Sequence, residues 1–337
     1  MDANSLIAYS LPGTKEFLVG TIKYCSTEKP KSLTDFDFVI APFDKLTGQT
    51  YWFKFSSISG SRVFSSPDNF SATKAESTSR EAYNQAYAEI QDSIHRKSTS
   101  KVVLSRRIVV PRQEQDLYTL FIKLKNQYPD AFTYLVSTPE TGTWLGASPE
   151  LVLSNRSGKI TTTAIAGTQV LGSSSVSNIK WGQKEIQEHR YIEDFLGEVL
   201  IQNGIDFTIS KKSTIQAGDI CHIHSRVDID SNTSLPAVID LVHPGPALSG
   251  YPVQDAVALI SRIESSSREF YCGYLGPIDD HKIDWFANIR CLQVHNEHYT
   301  LYVGGGLTSD SDLEAEWQET TMKSRTLLDV LELATAL

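Results

Sequence analysis

Cysteine is scarce in this chain. Cys25, Cys221, Cys272 and Cys291 are the only four in 337 residues, and no two stand in C-x-x-C spacing. That density excludes a disulfide framework, and reduced, mostly buried thiols are expected. No apolar run reaches membrane-spanning length, and no basic segment followed by an apolar one opens the chain. A soluble cytoplasmic protein with no membrane partner is therefore expected. Positive charge is also in deficit: 31 Lys and Arg stand against 40 Asp and Glu, for a net charge of -9. Without a basic stripe, nucleic acid is excluded as the main partner. There is no repeat of fixed period and no linker long enough to divide the chain. With 40% hydrophobic and 21% charged residues, the composition is that of an ordinary globular protein with ample core.

Within those limits the chain reads as many short strands and a few single helices. Phe17-Leu18-Val19 and Tyr51-Trp52-Phe53 are candidate strands. Ser-rich stretches at 56–61 and 65–79 read as loops leading to a helix over 79–96. KVVLSRRIVVP is a strand ended by Pro111. Leu117, Leu120, Phe121 and Leu124 have helical spacing. Strand runs follow at 132–137, 143–147, 151–155 and 159–166, a helix over 184–202, β-rich sequence over 207–230 and a helix over 253–263. More strand runs come at 270–275, 285–294 and 299–303, and a long helix over 312–336 ends the chain. Strands that do not alternate one-for-one with helices predict an α+β fold with antiparallel sheets.

Several clusters carry chemistry. Glu316, Glu319 and Lys323 fall at i, i+3 and i+7, on one face of the last helix. Ser311 and Glu314 have capping-box spacing at its start. Just upstream, Gly304-Gly305-Gly306 lets backbone approach a ligand closely. Glu185 and Glu188 repeat the i, i+3 spacing on another helix. Two helices that each offer carboxylates suit a hard cation such as magnesium. Glu150 follows a Pro-ended strand, and Gly167-Thr168 closes another strand as a turn with donors for an anion. Lys101 shares a strand face with Val103 and Ser105, and would act as a base if a cleft lowered its pKa. His222 and His224 form an H-x-H without a third metal ligand at a convincing spacing, so a hydrogen-bonded histidine is favoured over zinc.

Taken in order, KVVLSR (101–106), GASPELVL (146–153), AIAGT (164–168), KEIQEH (184–189), HIHS (222–225), HPGPALSGYP (243–252), REFYCGYLG (268–276), NIR (288–290) and GGGLTSDSDLEAEWQETTMK (304–323) resemble the chorismate-utilising enzymes. The resemblance covers roughly residues 95–330. It implies an α+β fold of two packed α/β halves, with large, mainly antiparallel sheets, helices outside and the active site in the cleft between. Residues 1–75 would be an N-terminal β-rich segment of the same fold, and 76–337 the chorismate-binding catalytic domain. The resemblance further implies Mg2+ held by Glu188 and Glu319, with Glu185 and Glu316 in the outer shell. Gly167, Thr168, His222, Tyr274, Arg290, Gly304, Gly306 and Lys323 would contact the substrate, with Tyr271 as the alternative tyrosine.

The same resemblance separates the members of the family. Lys101 stands where water-using members carry a lysine base and ammonia-using anthranilate synthases carry glutamine. Ala166 stands where aminodeoxychorismate synthases that form an adduct carry lysine. HPGPA is similar to the HPTPA of isochorismate synthases, with Gly245 in place of the usual threonine. Together these imply an isochorismate synthase, serving menaquinone or siderophore biosynthesis. Water would add at C2 of chorismate and hydroxyl would leave C4, with Lys101 as base and Glu150 as acid. No glutamine amidotransferase subunit is expected, and the protein would be a monomer or weak dimer. Salicylate synthase is the nearest alternative, followed by anthranilate or aminodeoxychorismate synthase component I.

Overall fold

The computed structural model describes residues 5–171, 175–217, 220–230, 233–279 and 282–333. In the first part of the chain these form β1 (Leu6–Ser10), β2 (Leu18–Ser26), β3 (Phe38–Ala41), β4 (Tyr51–Gly60), α1 (Arg80–His95), β5 (Lys101–Pro111) and α2 (Leu117–Gln127). In the middle lie β6 (Phe132–Thr138), β7 (Gly142–Ser148), β8 (Leu151–Arg156), β9 (Lys159–Val170), α3 (Gln183–Gln202), β10 (Phe207–Ile209), β11 (Ser213–Ala217) and β12 (Ile220–Ile229). The remainder comprises α4 (Leu235–Val242), β13 (Gly250–Tyr251), α5 (Val253–Ile263), β14 (Tyr274–Pro277), β15 (Lys282–Ala287), β16 (Cys291–Val294), β17 (His298–Leu307) and α6 (Leu313–Leu328).

All the described strands join one antiparallel ribbon. Their spatial order is β13–β5–β17–β16–β7–β6–β1–β2–β4–β3–β14–β15–β8–β9–β12, with β10 and β11 end to end along the far edge of β12. The ribbon folds back on itself into two packed halves. Phe132 on β6 stacks on Phe286 of β15 with ring centroids 4.5 Å apart, although six strand pairings separate them. Tyr9 on β1 likewise meets Phe38 on β3, at 5.7 Å. The apolar layer between the halves includes Ile7, Phe53, Tyr134, Trp144 and Leu275, and takes in buried faces of α1 and α5. The outer face of one half is covered by α2 and α6, through Leu117, Phe121, Leu327 and Leu328. The other is covered by α3 and α4, through Ile192, Leu196, Val238 and Ile239. Antiparallel sheets with helices outside are the α+β arrangement expected from the sequence. Residues 6–60 are continuous with it, since β1 bonds to β6 and β3 to β14.

Four local expectations need correction. Ser56 to Gly60 continues β4, because its pairing with β2 satisfies the backbone of a serine-rich segment that sequence alone reads as loop. Gly167-Thr168 is no turn. Strand β9 runs on to Val170, and the register shift opposite Cys221/Ile223 makes this stretch a bulge, with Gly167 at φ +70 supplying the left-handed residue. The 285–294 run is two strands, broken at Asn288-Ile289-Arg290, where Arg290 has φ +52. The last helix begins at Leu313 and ends at Leu328. Its N-cap is Asp312, which accepts from Glu314 N and Ala315 N, while the Ser311 hydroxyl donates to Glu316 Oε1 at 2.6 Å. Residues 334–336 of the expected helix lie outside the described residues.

Candidate active site

Strand β5 delivers Lys101 into the interior, where the residue is 7% exposed. It stands opposite Tyr251 of β13, and Ser100 N donates to Tyr251 O at 2.7 Å. The glycine run of β17 lies alongside. Gly306 pairs with Val103, and a methyl group on Gly306 would sit 2.7 Å from Lys101 Cε and 3.4 Å from its Nζ. The run belongs to the strand because its backbone pairs fully with β5. It is glycine because functional groups crowd its Cα atoms. A Cβ on Gly304 would meet the Tyr271 hydroxyl at 2.9 Å, and one on Gly305 would meet Glu316 Oε2 at 3.0 Å and Glu319 Oε1 at 4.0 Å.

Helix α6 carries the acidic face. Glu316 is 7% exposed; its Oε1 accepts from Ser311, and its Oε2 is buried without a hydrogen-bond partner. Burial raises its pKa, and nearby Glu319 adds to the rise. Glu319 pairs with Lys323 at 2.6 Å, and Lys323 also donates to Gly304 O at 2.9 Å. Arg290, at the break between β15 and β16, donates from Nη1 to the Lys323 carbonyl at 3.3 Å and to Thr326 Oγ1 at 3.0 Å. Burial lowers its pKa, while Tyr271, Tyr128 and Glu319 act against that. Arg290, Lys323, Glu319, Tyr271 and Gly304 thus form one neighbourhood.

Helix α3 approaches from the other half. Glu188 and Glu150 both bear electrostatically on Lys101. Glu185 packs on the β9 bulge, where a Cβ on Gly167 would lie 2.7 Å from Glu185 Cβ. His222, opposite the bulge on β12, places Nδ1 2.9 Å from Gly167 O. The Thr168 side chain lies outside the described residues.

The electrostatics of Lys101 and Glu150 run in opposite directions. Burial pushes the Lys101 ammonium below its ordinary pKa, with Lys323 and Lys184 helping and Glu188 and Glu150 opposing. Burial pushes the Glu150 carboxyl up, against Lys101 and Lys323. Each group is biased toward its neutral form at a place where the other is felt. A lysine held down and a carboxyl held up close to one another are the type of pair that proton transfer would require.

Two residues depart from the sequence reading. Tyr274 points away from this cleft: it stacks on Trp285 at 5.5 Å and meets His243 edge-on at 5.0 Å, within the core under α3 and α4. The hydroxyl beside Gly304 belongs to Tyr271. Both tyrosines precede a glycine by two residues, so the motif YCGYLG alone does not separate them. Lys184 is absent from the sequence reading, although its charge is felt by both Lys101 and Glu316. Its i, i+4 spacing to Glu188 is the signal that points to it.

A buried lysine and glutamate, each pushed toward its neutral form beside carboxylate-bearing helices, mark a candidate enzyme site. The sequence pattern of the chorismate binding enzyme family matches residues 53–329, and the chain belongs to that family. It is 30% identical over 244 residues to the isochorismate synthase EntC of Escherichia coli K12, covering 69% of this chain and 62% of that protein. The match therefore spans less than two thirds of that relative's length. It is 26% identical over 309 residues to the vibriobactin-specific isochorismate synthase of Vibrio cholerae, covering 86% of this chain and 78% of that protein. The structure of MenF, the menaquinone-specific isochorismate synthase of E. coli, superposes with a TM-score of 0.80 at 16% identity, covering 98% of this chain and 91% of that one. No described helix is long and apolar enough to cross a membrane.

Proposed function

We propose that the protein isomerises chorismate to isochorismate with water as the nucleophile. The opposed shifts of Lys101 and Glu150 carry this reading. Lys101, biased toward the neutral amine, takes a proton from the water that attacks C2. Glu150, biased toward the acid, gives a proton to the hydroxyl leaving C4. Atoms balance, because one water enters and one leaves. With water as nucleophile, no glutamine amidotransferase subunit is needed.

Arg290 and Lys323 supply cations for the substrate carboxylates; the guanidinium fork suits a planar carboxylate. Tyr271, His222 and the backbone at Gly167 and Gly304 to Gly306 line the same space, and Thr168 is assigned with them. Magnesium fits the donors present. They are carboxylate oxygens, and the orphaned Glu316 Oε2 is an acceptor that a cation or its water would satisfy. Among the described residues no three acidic, histidine or cysteine side chains form a ready-made cage. Magnesium does not require one, since it usually keeps several waters and uses one or two protein carboxylates. Glu188 and Glu319 would hold it, with Glu185 and Glu316 outside. Once bound, it neutralises a substrate carboxylate that would otherwise face four glutamates.

Incubation with chorismate and magnesium tests the proposal. Isochorismate should accumulate without release of pyruvate. Pyruvate and salicylate would instead indicate a salicylate synthase, and ammonia-dependent anthranilate would indicate an aminating enzyme.

A further inference from the structure

A second hollow, of about 280 Å³, lies where α4 meets the segment 27–52. None of the cleft residues named above lines it, and only the displaced Tyr274 reaches it. Its inner wall is apolar: Trp52, Ile239 and Tyr274 line it and are all at most 3% exposed. Its rim is charged. Lys45 Nζ donates to Asp240 Oδ1 at 2.9 Å, and Lys29 Nζ donates to Oδ2 of the same carboxylate. Two ammonium groups therefore converge on one carboxylate and leave an excess of one positive charge. Each ammonium has three donors. Lys29 makes one hydrogen bond here and Lys45 two, the second to Ile239 O at 3.5 Å. The pairs are partly solvent-exposed, so rearranging them costs little.

An apolar wall with aromatic rings, a rim with one net positive charge and spare donors, and a volume at the small end of ligand cavities define the guest. We propose that this hollow is a second binding site, for a small single-ring acid carrying one carboxylate, with the ring against Trp52, Ile239 and Tyr274 and the carboxylate on the spare donors of Lys29 and Lys45, beside the Asp240 carboxylate that they share. This goes beyond the reaction proposed above and does not depend on it. The site is also connected to the cleft. Helix α4, which carries Ile239 and Asp240, leads through residues 243–249 to Ser249, whose carbonyl accepts from Val103 N at 2.8 Å. Two residues further on, Tyr251 lies across from Lys101.

Calorimetric titration with benzoate tests the proposal, with acetate as charge without ring and benzyl alcohol as ring without charge. Benzoate should bind at one equivalent, and both controls about tenfold more weakly or worse. Lys45→Met removes one cation, and Ile239→Phe fills the apolar side while keeping both lysines. Each should weaken benzoate binding by at least about tenfold, with the folded state checked by thermal melting. Because the two variants act from opposite sides of the hollow, misfolding of one leaves the other decisive. Absence of benzoate binding at about 10 mM would overturn the proposal. So would undiminished affinity in a folded variant, or binding that survives Lys45→Met but is lost in Glu319→Gln, which would put benzoate in the cleft.

Discussion

Replacing Gly306 by alanine separates the position of Lys101 from its presence. The added methyl would lie 2.7 Å from Lys101 Cε. Carbon atoms in contact prefer about 3.5–4.0 Å, so roughly 1 Å must be recovered. The neighbour is near the end of a flexible side chain, so Lys101 rather than the strand should give way. Overpacking of this kind typically costs about 1–3 kcal/mol, and the low end applies where a lysine tip moves. A displacement of about 1 Å in a reacting group can lower turnover about 10²-fold. Gly306→Ala should therefore melt within a few degrees of the parent and lose about two orders of magnitude in kcat. Steady-state conversion of chorismate, measured beside a thermal melt, reads both quantities. A folded variant with parental kcat would refute the placement of Lys101 as the base, and a lost fold would mean that the strand rather than Lys101 takes up the clash.

Removing the base with Lys101→Gln should abolish water addition without unfolding the protein; near-normal isochorismate formation by that variant would contradict the assignment. Glu150→Gln should lose about 10²–10⁴-fold in kcat, the usual contribution of a positioned acid, and a smaller loss would remove it from proton transfer. Turnover should be bell-shaped in pH. The active form needs Lys101 neutral and Glu150 protonated, so it is lost on the acid side when both are protonated and on the alkaline side when neither is. With the Lys101 pKa lowered and that of Glu150 raised, the bell should be narrower than the ordinary lysine and glutamate values would give. Chelation should stop turnover and added magnesium restore it, whereas full activity in EDTA would reject the roles of Glu188 and Glu319. Trp144 is fully buried, stacks on Tyr302 at 5.3 Å and donates from Nε1 to Thr141 O at 3.0 Å. Trp144→Ala should cost about 3–5 kcal/mol in denaturant unfolding.

Local patterns in the chain were legible where one element decides them. The α2 positions Leu117, Leu120, Phe121 and Leu124 show helical spacing and are all buried. The carboxylates of α3 and α6 read correctly as sharing helix faces, because i, i+3 spacing needs no tertiary knowledge. Helix α4 is hidden in the sequence because LPAVIDLV is an eight-residue, almost wholly apolar run, too short to be told from a buried strand. The strand order was out of reach as well, since pairs such as β5–β17 join residues about two hundred positions apart. The choice between Tyr271 and Tyr274 failed for a related reason. Which tyrosine faces Gly304 depends on a turn at Cys272, at φ +60, that spacing does not reveal. Lys101 and Glu150 could be nominated from their motifs, but their opposed shifts come from burial, which only the folded chain supplies.

The most direct test of the account is the origin of the oxygen at C2. Chorismate turned over with magnesium in ¹⁸O-enriched water should give isochorismate labelled in the C2 hydroxyl, because solvent water is the nucleophile that Lys101 activates. Isochorismate formed at full rate without label would mean that the C4 hydroxyl migrates within the substrate, and would contradict the roles given to both Lys101 and Glu150.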